Sequence, residues 1–170
     1  MTTRECSGTG VGNLSIGQGQ MLVTPLQIAR MTSIIATGGI DRGTHILLSE
    51  RSGETRVVSV QTASQIREMM AETVRNGTAA TLDMTDDSGE PETAVKTGTA
   101  QYGSAGSYGT HAWITGFAPC KAPEYTVTVL VEDGKSGSGT AGPVYRQILD
   151  YLKSSGSYSK PTLATIIDPV

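Results

Sequence analysis

Phenylalanine and tryptophan occur once each in this sequence, and cysteine only twice. With so few large aromatics, a core must be filled by Val, Ile, Leu and Met, and the 21 glycines imply many turns. The two cysteines, Cys6 and Cys120, lack metal-ligand spacing, and His45 and His111 add no zinc pattern, so no metal site and no cofactor are expected. One free thiol near a terminus and one in a loop fit better than a disulfide or a catalytic pair. No run reaches the roughly 18 apolar residues of a membrane span, and no signal peptide is present. Positive charge is also scarce: the net charge is −3 with no basic stripe, which argues against nucleic acid as a partner.

What remains is an ordinary globular composition, 37% hydrophobic and 17% charged over 170 residues, enough for one domain or one half of a larger one. Residues 1–12 read as a polar leader or loop. A largely buried helix is predicted from Thr24 to Thr37, capped by Thr24, opened by Pro25 and stopped by Gly38-Gly39. Short strands at His45–Glu50 and Arg56–Val60 flank a hairpin at Ser52-Gly53-Glu54. A second helix begins at Thr62, with Gln65 completing a capping box and Ile66, Met69, Met70, Thr73 and Val74 as its apolar stripe, and ends at Asn76-Gly77. Residues 78–93 form a polar connection with an acidic run, read as a solvated loop. Strands follow at Ala94–Gln101, Ala112–Ala118 and Tyr125–Glu132, with a glycine- and serine-rich mobile loop at 102–110 between the first two. Apolar residues on both sides of the last strand imply a sheet covered on both faces. After a turn at 133–140, Pro143 opens a final helix with Val144, Ile148, Tyr151 and Leu152 on one face. The fold class is α+β: an antiparallel sheet flanked by helices.

Several short motifs fail on inspection. Gly8-Thr9-Gly10-Val11-Gly12 lacks the third glycine of a dinucleotide loop, since Asn13 stands there. Gly134-Lys135-Ser136 lacks the first glycine of a phosphate loop, since Val129 stands there. The acidic residues Asp83, Asp86, Asp87, Glu90 and Glu92 lack the glycine and the terminal glutamate of a calcium loop. Asn76-Gly77-Thr78 matches a glycosylation sequon but is explained as a helix end.

One stretch stands out, Lys96-Thr97-Gly98-Thr99-Ala100-Gln101. On a strand, Thr97 and Thr99 share a face. Gly98 leaves the backbone open to a ligand, Lys96 brings positive charge, and the hydroxyls can hydrogen-bond a carboxylate. Such an edge suits a peptide that joins the sheet as an added strand. Lys96, Thr97, Gly98, Thr99 and Gln101 are therefore the candidate substrate-binding residues.

The stretch does not stand alone. Ser15-Ile16-Gly17-Gln18-Gly19 and Val23-Thr24-Pro25-Leu26-Gln27 precede it, and His111–Pro119, Tyr125–Glu132 and Gly142-Pro143-Val144 follow. This ordered set resembles the C-terminal half of the transpeptidase domain of class B penicillin-binding proteins, and is most similar to the elongation-type members. The resemblance implies the serine β-lactamase and D,D-peptidase fold. It also implies acyl transfer on peptidoglycan stem peptides, inhibition by β-lactams, and a parent protein anchored at the extracytoplasmic face of the bacterial membrane beside cell-wall synthesis partners. By that resemblance Lys96 organises the proton network, Thr97 and Thr99 hold the substrate carboxylate, and the Thr99 N–H forms half of the oxyanion hole, so Lys96 and Thr99 are the catalytic candidates.

The sequence departs from the family pattern in one large respect. Ser-x-Asn is absent, and the sole Ser-x-x-Lys, Ser157-Tyr158-Ser159-Lys160, falls after the final helix, where it is read as coincidence. Residues 1–155 are thus expected to be the C-terminal part of a transpeptidase domain without its nucleophile, and residues 156–170 a tail. The isolated chain is expected to be inactive and prone to self-association through surface that the other half would cover. A β-lactamase, a β-lactam sensor domain and a non-catalytic peptide-binding module are the competing readings.

Overall fold

The computed structural model describes residues 8–19, 21–47, 49–50, 53–104 and 107–156. The expectations for Cys6, for the Ser157 motif and for the tail fall outside these residues, apart from its first residue, Gly156. Four helices, α1 (Gly8–Ser15), α2 (Pro25–Ala36), α3 (Val60–Arg75) and α4 (Gly142–Ser154), surround a sheet of β3 (Ala94–Ser104), β4 (Ser107–Ala118) and β5 (Tyr125–Val131). β1 (Ile40–Asp41) and β2 (Thr55–Arg56) form a small separate ribbon. The main sheet is antiparallel in the order β3-β4-β5, so β4 is central and, among the described residues, β3 has a strand partner on one side only.

Both faces of the sheet are covered, as the pattern on β5 implies. On one face α2 and α3 contribute Ile35, Ala36, Met70 and Ala71 against Ala94 and Phe117. On the other, Tyr145 and Leu149 of α4 pack with Val95, Ala112, Ile114, Ala118 and Val129. The period-2 alternation of β4 divides its residues between these two cores. A hydroxyl relay ties α2 to the sheet: Thr32 and Thr115 Oγ1 lie 2.8 Å apart, Thr115 and Thr128 Oγ1 2.7 Å apart, and Thr32 donates to the Ile28 carbonyl at 3.0 Å. Thr32→Val keeps the volume and removes the link. It is expected to lower stability by about 1–2 kcal/mol, as read from urea unfolding.

The helix signals held closely. Thr24 caps α2 in a reciprocal box with Gln27, and Gly38 and Gly39 end it at φ +73° and +96°. Several expectations are corrected. Residues 8–12 belong to α1 rather than a leader. No strand forms at 45–50 among the described residues; the ribbon partner of β2 is Ile40-Asp41. The cap of α3 is Ser59, whose hydroxyl accepts from the Thr62 N–H, so the helix starts two residues earlier than predicted. The 102–110 loop is instead the extension of a long β3–β4 hairpin, paired from Ala94↔Phe117 out to Ser104↔Ser107. Within 78–93, Ala79, Met84 and Thr93 are buried rather than solvated. On α4 the buried side chains are Tyr145 and Leu149, while Val144 and Tyr151 face outward. Finally, α2 is buried on one side only: Leu26 is 61% and Met31 52% exposed, because no described element lies over that side.

Candidate peptide-binding edge

In an antiparallel ladder each residue turns its N–H and C=O to one side, and successive residues turn to opposite sides. The side chain of Gln18 marks which way β3 is turned. Its Nε2 donates to the Thr99 carbonyl at 3.0 Å, and the Gln101 N–H donates to its Oε1 at 3.4 Å. Thr97, Thr99 and Gln101 therefore present their amide groups along the edge away from β4. Lys96 bends to the same edge, where its Nζ donates to the Thr97 carbonyl at 2.6 Å. Charge, backbone donors and backbone acceptors thus converge along one line of β3.

The side chains divide between faces. Lys96 is registered opposite Thr115, on the α2 side of the sheet, whereas Thr97 and Thr99 are opposite Ile114 and Ala112, on the α4 side. The hydroxyls are held in place. Thr97 Oγ1 lies 2.6 Å from Thr78 Oγ1, and Thr99 Oγ1 accepts from the Gly137 N–H at 3.4 Å. Gly137 starts a π-helical turn, Gly137–Ala141, whose Ser136 cap accepts from the Gly139 N–H at 3.0 Å. That turn lies so close to β3 that a Cβ on Gly137 would stand 2.7 Å from Gly98 O and 2.5 Å from Trp113 O. Gly98 has more room: a Cβ there would meet only Trp113 Cβ, at 3.4 Å.

All five predicted residues therefore lie on β3, and Lys96, Thr97, Thr99 and Gln101 each make a hydrogen bond outside the ladder. Sequence reading did not single out Thr78 or Gly137 as supports, and it named Gln18 only within the Ser15–Gly19 segment that carries the resemblance. The available signal for Gln18 was its place between two glycines, Gly17 and Gly19, which adopt φ +73° and +94° and turn the chain back from α1. With Asn13, Ile16, Gly19, Thr99 and Gln101 it lines an open cleft of ≈ 460 Å³ along the end of the edge. Farther out on the hairpin, Tyr102 stacks on His111 with ring centroids 4.3 Å apart and donates its hydroxyl to Asp133, which raises its pKa. Away from the edge, Cys120 is half-buried against the α2–α3 core, and burial pushes its thiol pKa up, so it is a poor nucleophile. Among the described residues no His, Cys, Asp or Glu cluster could hold a metal, and no helix is long and apolar enough to cross a membrane.

Comparison with known proteins adds the following. A family model described as the penicillin binding protein transpeptidase domain matches residues 5–150. The peptidoglycan D,D-transpeptidase PbpA of Mycolicibacterium smegmatis is 32% identical over 160 residues, covering 86% of this chain and 33% of its own length. The peptidoglycan D,D-transpeptidase MrdA of Salmonella typhimurium is 30% identical over 167 residues, covering 82% of this chain and 26% of its own. The chain thus spans about a third or less of the curated relatives it matches. Among solved structures, PBP2 of Helicobacter pylori in complex with MreC superposes with a TM-score of 0.76 at 30% identity, over 88% of this chain and 28% of that one. PBP3 of Mycobacterium tuberculosis complexed with aztreonam gives a TM-score of 0.74 at 26% identity, over 90% and 39%.

Proposed function

The chain belongs to the penicillin-binding protein transpeptidase family, and from that premise we propose that β3 is the substrate-holding wall of a peptidoglycan D,D-transpeptidase. The observation that carries this reading is the open edge of β3, on which Lys96, Thr99 and Gln101 present a cation, backbone donors and backbone acceptors along one line. An extended stem peptide adds to this edge as a strand. The Lys96 ammonium and the Thr97 and Thr99 hydroxyls bind its terminal carboxylate. The Thr99 N–H points to the same edge as the Thr99 carbonyl and stabilises the oxyanion when a serine hydroxyl attacks the peptide carbonyl. The serine Oγ–carbonyl bond forms, the peptide C–N bond breaks, and the leaving amine takes the serine's proton. An amine of a second stem peptide then takes the acyl group and regenerates the hydroxyl. A β-lactam follows the first half of this path, and its ring-opened acyl group stays on the serine.

The serine is supplied from outside these 170 residues. A hydroxyl without an activating base is a weak nucleophile, and the sole Ser-x-x-Lys of the chain lies beyond α4. The family match over residues 5–150 supports reading residues 1–155 as part of the transpeptidase domain and 156–170 as a tail. The outward Leu26 and Met31 of α2 fit a packing surface for the remainder of that domain, and in its absence for a second copy of the chain. We propose further that the whole protein works at the outer face of the cell membrane with cell-wall synthesis partners.

Intact mass after incubation with a penicillin tests this directly. The chain alone is expected to gain no adduct, and a mixture with the segment carrying Ser-x-x-Lys is expected to gain one, on that segment. An adduct on these 170 residues alone would overturn the placement of the serine.

A further inference from the structure

The carboxamide of Gln18 fills hydrogen-bonding positions on β3 that an added strand would fill. One amide both donates to Thr99 O and accepts from Gln101 N–H, at 3.0 and 3.4 Å. These are the two groups that flank Ala100 on the open edge, and a neighbouring strand would fill the same two positions with an N–H and a C=O from separate peptide groups. Gln18 reaches them from a turn rather than a strand, across 81 residues of sequence to Thr99. Its neighbours Gly17 and Gly19 both have positive φ, so the backbone on each side belongs to the residue type that changes conformation most freely. The side chain is half-buried, and the ≈ 460 Å³ cleft that it lines gives it room to withdraw.

We infer that Gln18 is a displaceable stand-in for substrate: its side-chain amide occupies the hydrogen-bonding positions of Thr99 and Gln101 until an extended peptide replaces it. This rests on the reading of β3 as a peptide-binding edge and adds a specificity-determining residue to it. A peptide that offers a backbone N–H and C=O at these positions recovers both bonds that Gln18 gives up. A ligand lacking either group leaves Thr99 O or Gln101 N–H to water and gains less from displacing Gln18. Gln18 thus sets a threshold that favours extended peptides over compact ligands of equal charge.

The test uses the 170-residue chain, ¹⁵N-labelled, as wild type, Gln18→Ala and Gln18→Met. Two readouts are taken: hydrogen exchange of the Gln101 amide without ligand, and affinity for N-acetyl-Lys-D-Ala-D-Ala from the Thr99 and Gln101 amide shifts. Both variants are expected to exchange the Gln101 amide about five- to tenfold faster and to bind the peptide about fivefold more tightly. Unchanged exchange would overturn the stand-in, because Gln18 would then not hold the edge. Weaker peptide binding by both variants would also overturn it, making Gln18 a ligand contact. Tighter binding by Gln18→Ala but not by Gln18→Met would reduce Gln18 to bulk and overturn the amide argument. Faster exchange with no peptide bound by any variant would instead overturn the peptide-edge reading, and with it the substrate role given to Gln18.

Discussion

Tyr145→Ala is expected to destabilise the chain by about 3–5 kcal/mol, the range for truncating a buried aromatic. Tyr145 is 1% exposed and is among the largest fully buried side chains described. It carries α4 onto the sheet, packing in the core with Val95, Ile114 and Ala118. Its hydroxyl lies 2.7 Å from Thr93 Oγ1, which in turn donates to the Phe117 carbonyl at 2.7 Å, so the ring is anchored at its far end. Single domains hold only about 5–15 kcal/mol in total, so a loss of this size takes away a large share of the margin. Urea unfolding followed by far-UV circular dichroism should show a lower midpoint at an unchanged slope. Tyr145→Phe separates the two contributions: with the ring kept, about 1 kcal/mol should be lost. A loss under 1 kcal/mol for Tyr145→Ala would mean that α4 is not held by this core.

Gly137→Ala is expected to leave the fold standing and to disable the edge. An added Cβ would meet three backbone atoms of β3 and β4, 2.5 Å from Trp113 O and 2.7 and 2.9 Å from Gly98 O and N. Neither strand can yield without breaking the β3–β4 ladder, so the Gly137–Ala141 turn must move. Overpacking of this kind costs about 1–3 kcal/mol. The functional effect is larger. The turn carries the Gly137 N–H that holds the Thr99 hydroxyl, and displacement by about 1 Å at a reacting centre costs on the order of 10²-fold. In the complete transpeptidase, acylation by a penicillin should therefore slow by about 10²-fold while the melting temperature falls by only a few degrees. Gly53→Ala is the control for the added methyl, since its Cβ meets nothing within 4 Å, whereas Gly98, where a Cβ meets a single side-chain carbon at 3.4 Å, belongs to the edge itself. If Gly137→Ala acylates at the wild-type rate, the turn does not position Thr99.

This pair of glycines shows where sequence reading reaches and where it stops. Lys96-Thr97-Gly98-Thr99 draws attention to Gly98, because that glycine sits inside a recognisable run. The crowded glycine is Gly137, which sits in a stretch with no motif of its own and becomes demanding only when its turn folds against β3. Gln18 behaves likewise. Its neighbours Gly17 and Gly19 were visible as a turn, but its bond to a carbonyl 81 positions away follows from no local rule. The hairpin tip was misread for a related reason. The glycine- and serine-rich residues 102–110 have low strand propensity, yet they continue a ladder already nucleated by Ala94–Gln101 and Ala112–Ala118.

Local chemistry in the sequence by itself determined α2 and its stops, the interior of α3, the three principal strands, and the set Lys96, Thr97, Gly98, Thr99 and Gln101 on one of them. Caps, glycine φ preferences and period-2 alternation act over a few residues, so they can be read directly from the chain. Only the tertiary structure decided that β3 lies at the rim of its sheet, that Gln18 and Gly137 reach it, and that Leu26 and Met31 stay uncovered. Those outcomes depend on which surfaces meet across tens of residues, and they are settled by packing and backbone pairing rather than by the preferences of any one segment.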